Sequence, residues 1–83
     1  MRLKRRAQMR RVKMAEAYRI VIEPLSEEDG GGFAAFVPDL PGCMADGETR
    51  SDAVANAEGA IESWIAAAEA HGRPVPHPSR VYA

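Results

Sequence analysis

Apolar positions first alternate along the chain and later recur at helical spacing, and this change of period divides it into a sheet-forming half and a helix. Tyr18, Ile20 and Ile22 occupy alternate positions in a stretch rich in β-branched and aromatic residues. That pattern predicts a strand over Tyr18–Glu23, ended by Pro24. Ser26 to Gly32 is acidic and then glycine-rich, which predicts a flexible hairpin loop. Phe33 to Val37 reads as the return strand. Pro38, Pro41 and Gly42 then force a turn. Cys43 to Asp46 reads as a short third strand, closed by Gly47.

Thr49 has the character of a helix N-cap, and Asp52 stands where an acidic side chain reaches back to the cap amide. The helix is predicted from Arg50 to about His71, roughly 33 Å at 1.5 Å per residue. Gly72 serves as the C′ glycine, and Pro74 forbids resumption. Val54, Ala57, Ile61, Trp64, Ile65 and Ala68 fall on one stripe that is expected to pack on the sheet. Full burial of Ile61 or Ile65 contributes about 1.5–3 kcal/mol each.

On the other side of the helix, Ala55, Gly59, Ser63, Ala66 and Ala70 leave a nearly smooth face, flanked by Glu58, Glu62 and Glu69. Two readings stand. Ala55, Gly59, Ser63 and Ala66 form a self-association surface where another backbone approaches, or the face only reflects alanine's helix preference. Gly72 to Ser79 reads as a proline-spaced extended tail, and Arg80-Val81-Tyr82 as a last edge strand. Strands followed by one long helix indicate an α+β fold with a small antiparallel sheet. Short sheets leave edges that need pairing or cover, so a homo-oligomer, dimer or tetramer, is expected.

Size and charge sharpen this picture. At 83 residues the chain makes one domain. A domain this small buries only about 60% of its unfolded surface, so a lone monomer is marginal. A single cysteine rules out an internal disulfide framework and suits the reducing cytoplasm. No apolar stretch approaches the roughly 20 residues of a membrane span, and no apolar core follows the N-terminal charges as in a signal peptide.

The net charge of −1 conceals two opposed parts: Met1 to Lys13 holds seven basic residues and no acid, whereas the remainder sets four basic residues against all twelve acids, a formal −8. Residues 1–14 are therefore expected to be a basic, unpacked arm and residues 15–83 the domain. Arg2, Lys4, Arg5, Arg6, Arg10 and Arg11 suit a phosphate-binding arm. The other readings are a solvated tail, or a start placed early, with Met14 as the second start. An acidic body repels nucleic acid and attracts a basic protein surface.

Candidate chemistry is sparse. Asp39, Asp46, Glu48 and Asp52 gather near the sheet-to-helix corner, and convergent carboxylates there would suit a two-metal nuclease. Turn and cap roles account for each of them, and no metal site is predicted. Cys43, His71 and His77 follow no nucleophile–base spacing. Cys43 reads as a small buried hydrophobe, His71 as a helix C-terminal cap, His77 as exposed between two prolines, and Trp64 as packing. Gly30-Gly31-Gly32 lacks a following Lys-Ser/Thr, so it is no phosphate loop. Neither catalytic residues nor a cofactor is predicted.

One ordered set of motifs resembles a known family. Phe33-Ala34-Ala35-Phe36-Val37-Pro38-Asp39-Leu40-Pro41-Gly42-Cys43 is followed by Gly47-Glu48-Thr49, then Ala53-Val54-Ala55-Asn56-Ala57, and finally Gly72-Arg73-Pro74-Val75-Pro76-His77-Pro78-Ser79. From Tyr18 to about Ser79 this order resembles the N-terminal domain of HicB antitoxins. The resemblance implies a truncated ribonuclease-H-like sheet in β-β-β-α-β order without the nuclease carboxylates, and a protein that is not an enzyme. It implies a partner, HicA, a small basic ribonuclease that cuts messenger RNA in the cytoplasm. Asp39, Asp46, Glu48, Glu58 and Glu62 are then the expected acidic contacts, with Leu40 and Pro41 as a rigid apolar anchor. Many family members carry a C-terminal DNA-binding domain. No helix-turn-helix or ribbon-helix-helix fits after Tyr82, so operator binding by such a domain is not expected. The alternatives are a stand-alone HicB-like regulator, a nucleic-acid binder using the basic arm, or a residual ribonuclease-H-like metal enzyme.

Overall fold

A computed structural model describes residues 15–79. After helical residues 15–17, three strands, β1 (Val21–Pro24), β2 (Phe33–Phe36) and β3 (Met44–Gly47), precede a long helix, α1 (Arg50–Ala70). The strands form one antiparallel sheet in the order β1-β2-β3. Ala35 pairs with Ile22 on one side and Ala45 on the other. The fold is α+β, with α1 packed on one face of the sheet. The basic arm, with Arg2, Lys4, Arg5, Arg6, Arg10 and Arg11, and the expected strand at Arg80–Tyr82 lie outside the described residues.

β1 begins three residues later than its alternation predicts. Tyr18 is 4% exposed, and its hydroxyl donates to the Pro76 carbonyl, so it belongs to the core rather than to the ladder. Pro24 closes β1 from inside, opposite Phe33. An edge strand tolerates a residue that cannot donate.

The loop after β1 is built rather than slack. Ser26 caps a single 3-10 turn (Glu27–Asp29), its Oγ accepting from the Asp29 amide at 3.2 Å. The Gly31 amide donates to the Ser26 carbonyl at 2.8 Å and Leu25 to Gly32 at 2.9 Å. Gly30, Gly31 and Gly32 all adopt positive φ, a run only glycine accepts without strain.

α1 is seated by small residues. A Cβ on Gly47 would lie 2.4 Å from the Ala53 amide nitrogen, so the end of β3 rests directly on the first helical turn. Ala35, Ala53 and Ala57 are fully buried at this contact, with Ile20, Ile22, Phe33 and Ala45 packed around them. A second cluster joins Ala15, Tyr18, Val37, Leu40, Cys43, Ile61 and Ile65. The buried stripe of α1 is therefore Ala53, Ala57, Ile61, Ile65 and Ala68. Val54 and Trp64 are half-buried on its flanks, and Ala53 takes the place predicted for Val54.

Both predicted caps form. Thr49 Oγ1 accepts from the Asp52 amide at 3.0 Å. At the other end the Gly72 amide donates to Glu69 at 3.2 Å and the Arg73 amide to Ala68 at 2.8 Å. That paired closure requires the left-handed φ of +66° at Gly72.

Candidate partner-binding surface

The Pro38–Gly42 corner is two successive β-turns. Leu40 donates to the Val37 carbonyl at 3.1 Å, and Cys43 donates to the Leu40 carbonyl at 3.0 Å. In the second turn Pro41 presets φ and Gly42 supplies a φ of +79°, the pattern of a type II turn. Of the corner residues only Leu40 turns inward. Leu40 is 1% exposed and lies in the core beside Ile61 and Ile65, so it has no surface to offer a partner, and its expected anchoring role is corrected to a packing one. Pro41 is exposed, and its carbonyl accepts from Trp64 Nε1 at 2.9 Å, which ties the corner to α1.

Asp39 is taken up by the chain itself. Its two carboxylate oxygens accept from the Ser79 hydroxyl at 2.6 Å and the Ser79 amide at 2.8 Å. The Ser79 hydroxyl, then its amide, together with the nearby Arg19 guanidinium, hold the Asp39 carboxyl below its ordinary range. Burial pushes the Tyr18 phenol up, and the charge of Asp39 adds to this. Tyr18 and Asp39 thus strap the tail over the corner at Pro76 and Ser79, and Val75, just before the first of these contacts, packs on the core.

The other acidic candidates are dispersed. Asp46 and Glu48 line an open cleft of about 420 Å³ with Gly30, Gly31, Gly32 and Gly47. Asp52 is in the first turn of α1, and Glu58 and Glu62 are half-buried farther along it. Among the described residues no three His, Cys, Asp or Glu side chains come together as a metal-binding group. On the smooth side of α1, Ala55, Gly59 and Ser63 are exposed and Ala66 is half-buried. A Cβ on Gly59 would meet nothing within 4 Å, so no described backbone of this chain approaches it.

Cys43 is buried, and that burial pushes its thiol up. His71 caps α1 through its backbone amide, and both His71 and His77 are exposed. Trp64, Pro41, Ala67, Ala68, His71 and Arg73 enclose a shallow cleft of about 280 Å³.

One surface feature escaped the sequence reasoning. Val21, Phe36 and Met44 are 39%, 36% and 59% exposed, and they pair in register across all three strands. They form one apolar row on the sheet face opposite α1. The signal was present, because these positions have the opposite parity to Ile22, Ala35 and Ala45, which face the helix.

Comparison with known proteins was decisive for the family. Residues 18–83 match the family described as HicB-like antitoxin of bacterial toxin–antitoxin systems. The chain belongs to the HicB-like antitoxin family. Two UPF0150 proteins of Synechocystis are similar to this HicB-like chain: ssr1765 is 42% identical over 63% of the chain and 66% of its own length, and ssl0259 is 37% identical over 71% and 77%. A solved crystal structure, TTHA0281 from Thermus thermophilus, resembles this chain with a TM-score of 0.66 at 28% identity, over 84% of this chain and 83% of that one. The family match also spans the Pro38–Gly42 corner and both caps of α1. Among the described residues of this HicB-like domain, no helix is long and apolar enough to cross a membrane.

Proposed function

We propose that the chain is a cytoplasmic antitoxin that neutralises a HicA-type, messenger-RNA-cleaving ribonuclease by binding and covering it. It acts by occlusion and breaks no bond itself. One observation carries the reading beyond family membership. The described residues hold twelve acids against three basic residues, and none of these charged groups is buried. Such a surface repels RNA and draws in a basic protein, since opposite fields speed encounter and like charges bar the wrong partner. Asp46, Glu48, Glu58 and Glu62 supply acidic contacts in this reading, with Pro41 exposed nearby, and Ala55, Gly59, Ser63 and Ala66 remain the proposed self-association face.

The test is a low-salt pull-down from the source cells with the full chain, followed by RNA cleavage assays on what is recovered. A small basic ribonuclease that falls silent at one equivalent of the chain is the expected result. Recovery of the chain alone, or of a nuclease that keeps cutting in the complex, overturns the reading.

A further inference from the structure

The open face of the sheet carries two rows of side chains. In one row Val21, Phe36 and Met44 follow one another across β1, β2 and β3; in the next row stand Glu23, Ala34 and Asp46. The first row is wholly apolar, and its three residues are the exposed large hydrophobics among the described residues. The second places a carboxylate on each outer strand with alanine between. Strand spacing puts those two carboxylates roughly 10 Å apart, and the rows lie about 7 Å from each other. An exposed apolar strip with a charged border is the ordinary make-up of a protein interface.

The charges decide what fits. A second copy of the same face brings no cation to the Glu23–Asp46 row. Among the described residues Arg50 lies over the Phe33 ring, 4.7 Å from its centroid, Arg73 follows the end of α1, and Arg19 stands by Asp39. RNA is repelled by the same carboxylates.

We propose that this face, with Val21, Phe36 and Met44 at its centre and Glu23 and Asp46 on its border, seats a protein partner whose contact surface is apolar and flanked by two Lys or Arg side chains about 10 Å apart. This rests on the reading that the chain covers a basic protein, and it names the surface that does so. The apolar row supplies contact area, and the border selects a cationic partner.

The test places a photo-crosslinking phenylalanine analogue at Met44, and separately at Ser63 on the outer face of α1, in the full chain expressed in its source cells. The captured protein is purified and its affinity measured for wild type, for Met44→Asp, and for the pair Glu23→Lys with Asp46→Lys. All three positions are exposed, and unchanged melting curves establish that each variant folds. Expected is capture of a basic protein from position 44 and not from 63, with affinity falling at least 30-fold in both variants. Capture of only its own copies at position 44, capture of nothing, or unchanged affinity in either variant overturns the proposal. A basic ribonuclease captured solely at position 63 sinks this surface and spares the covering function. A basic partner at position 44 that cleaves no RNA does the reverse.

Discussion

Leu40 is a turn residue by position and a core residue by contact. It is 1% exposed against Ile61 and Ile65. Leu40→Ala should therefore cost about 2–5 kcal/mol, read as a lowered urea midpoint. A loss below about 1 kcal/mol, outside the range for a buried leucine, would show that the corner does not plug the core. Its neighbour Asp39 makes a pH-dependent contribution. Its folded pKa is lowered by Ser79, so the stability it provides is full above the ordinary value of 3.8 and is lost as pH falls through the lowered folded value. Wild type should exceed Asp39→Asn by a constant margin near neutral pH, and the margin should close in strong acid. A pH-independent margin would contradict this account. The inward turn of Leu40 was not readable from sequence, because a Pro-rich corner looks the same whether it faces the core or solvent. Cys43 was readable, since a lone small thiol beside a strand has one common fate.

At the scale of elements, two glycines give opposite forecasts. Gly59→Ala in α1 meets open space and should stabilise by roughly 0.8–1 kcal/mol. Gly47→Ala drives a methyl into the backbone of Asp52 and Ala53 and should destabilise, with thermal melting as the measure for both. Equal shifts in one direction would show that α1 is not pressed on β3 as described. The limits of α1 were legible because its caps are local: Thr49 answers a residue three positions on and Gly72 turns the chain by itself. The start of β1 was not. Tyr18 is drawn from the ladder by Pro76, and no short window of sequence contains that partner. The stripe of α1 slipped by one residue at its start, because alanine at position 53 is chosen by the closeness of Gly47 rather than by hydrophobicity.

For the whole molecule, the distribution of charge governs kinetics more than fold. An acidic surface meeting the basic partner proposed for it should show an association rate that falls about tenfold or more between low and high salt, with little change in dissociation. Stopped-flow binding checks this, and a salt-independent association rate would remove electrostatics from the encounter. The family was recognisable in the sequence because its motifs recur in fixed order. For the open sheet face only half of the signal was there: strand parity puts Val21, Phe36 and Met44 on one side without saying whether that side is covered.

The strap at the corner has a practical bearing on how this molecule is handled. Since Ser79 is fastened to Asp39, the described tail ends beside Arg19 and the corner, and a load on that end is borne by this clasp. A bulky fusion placed there would tug on the clasp between Asp39 and the tail and crowd one end of the sheet. Cargo carried at that end would load the clasp that holds Ser79 to the rest of the fold.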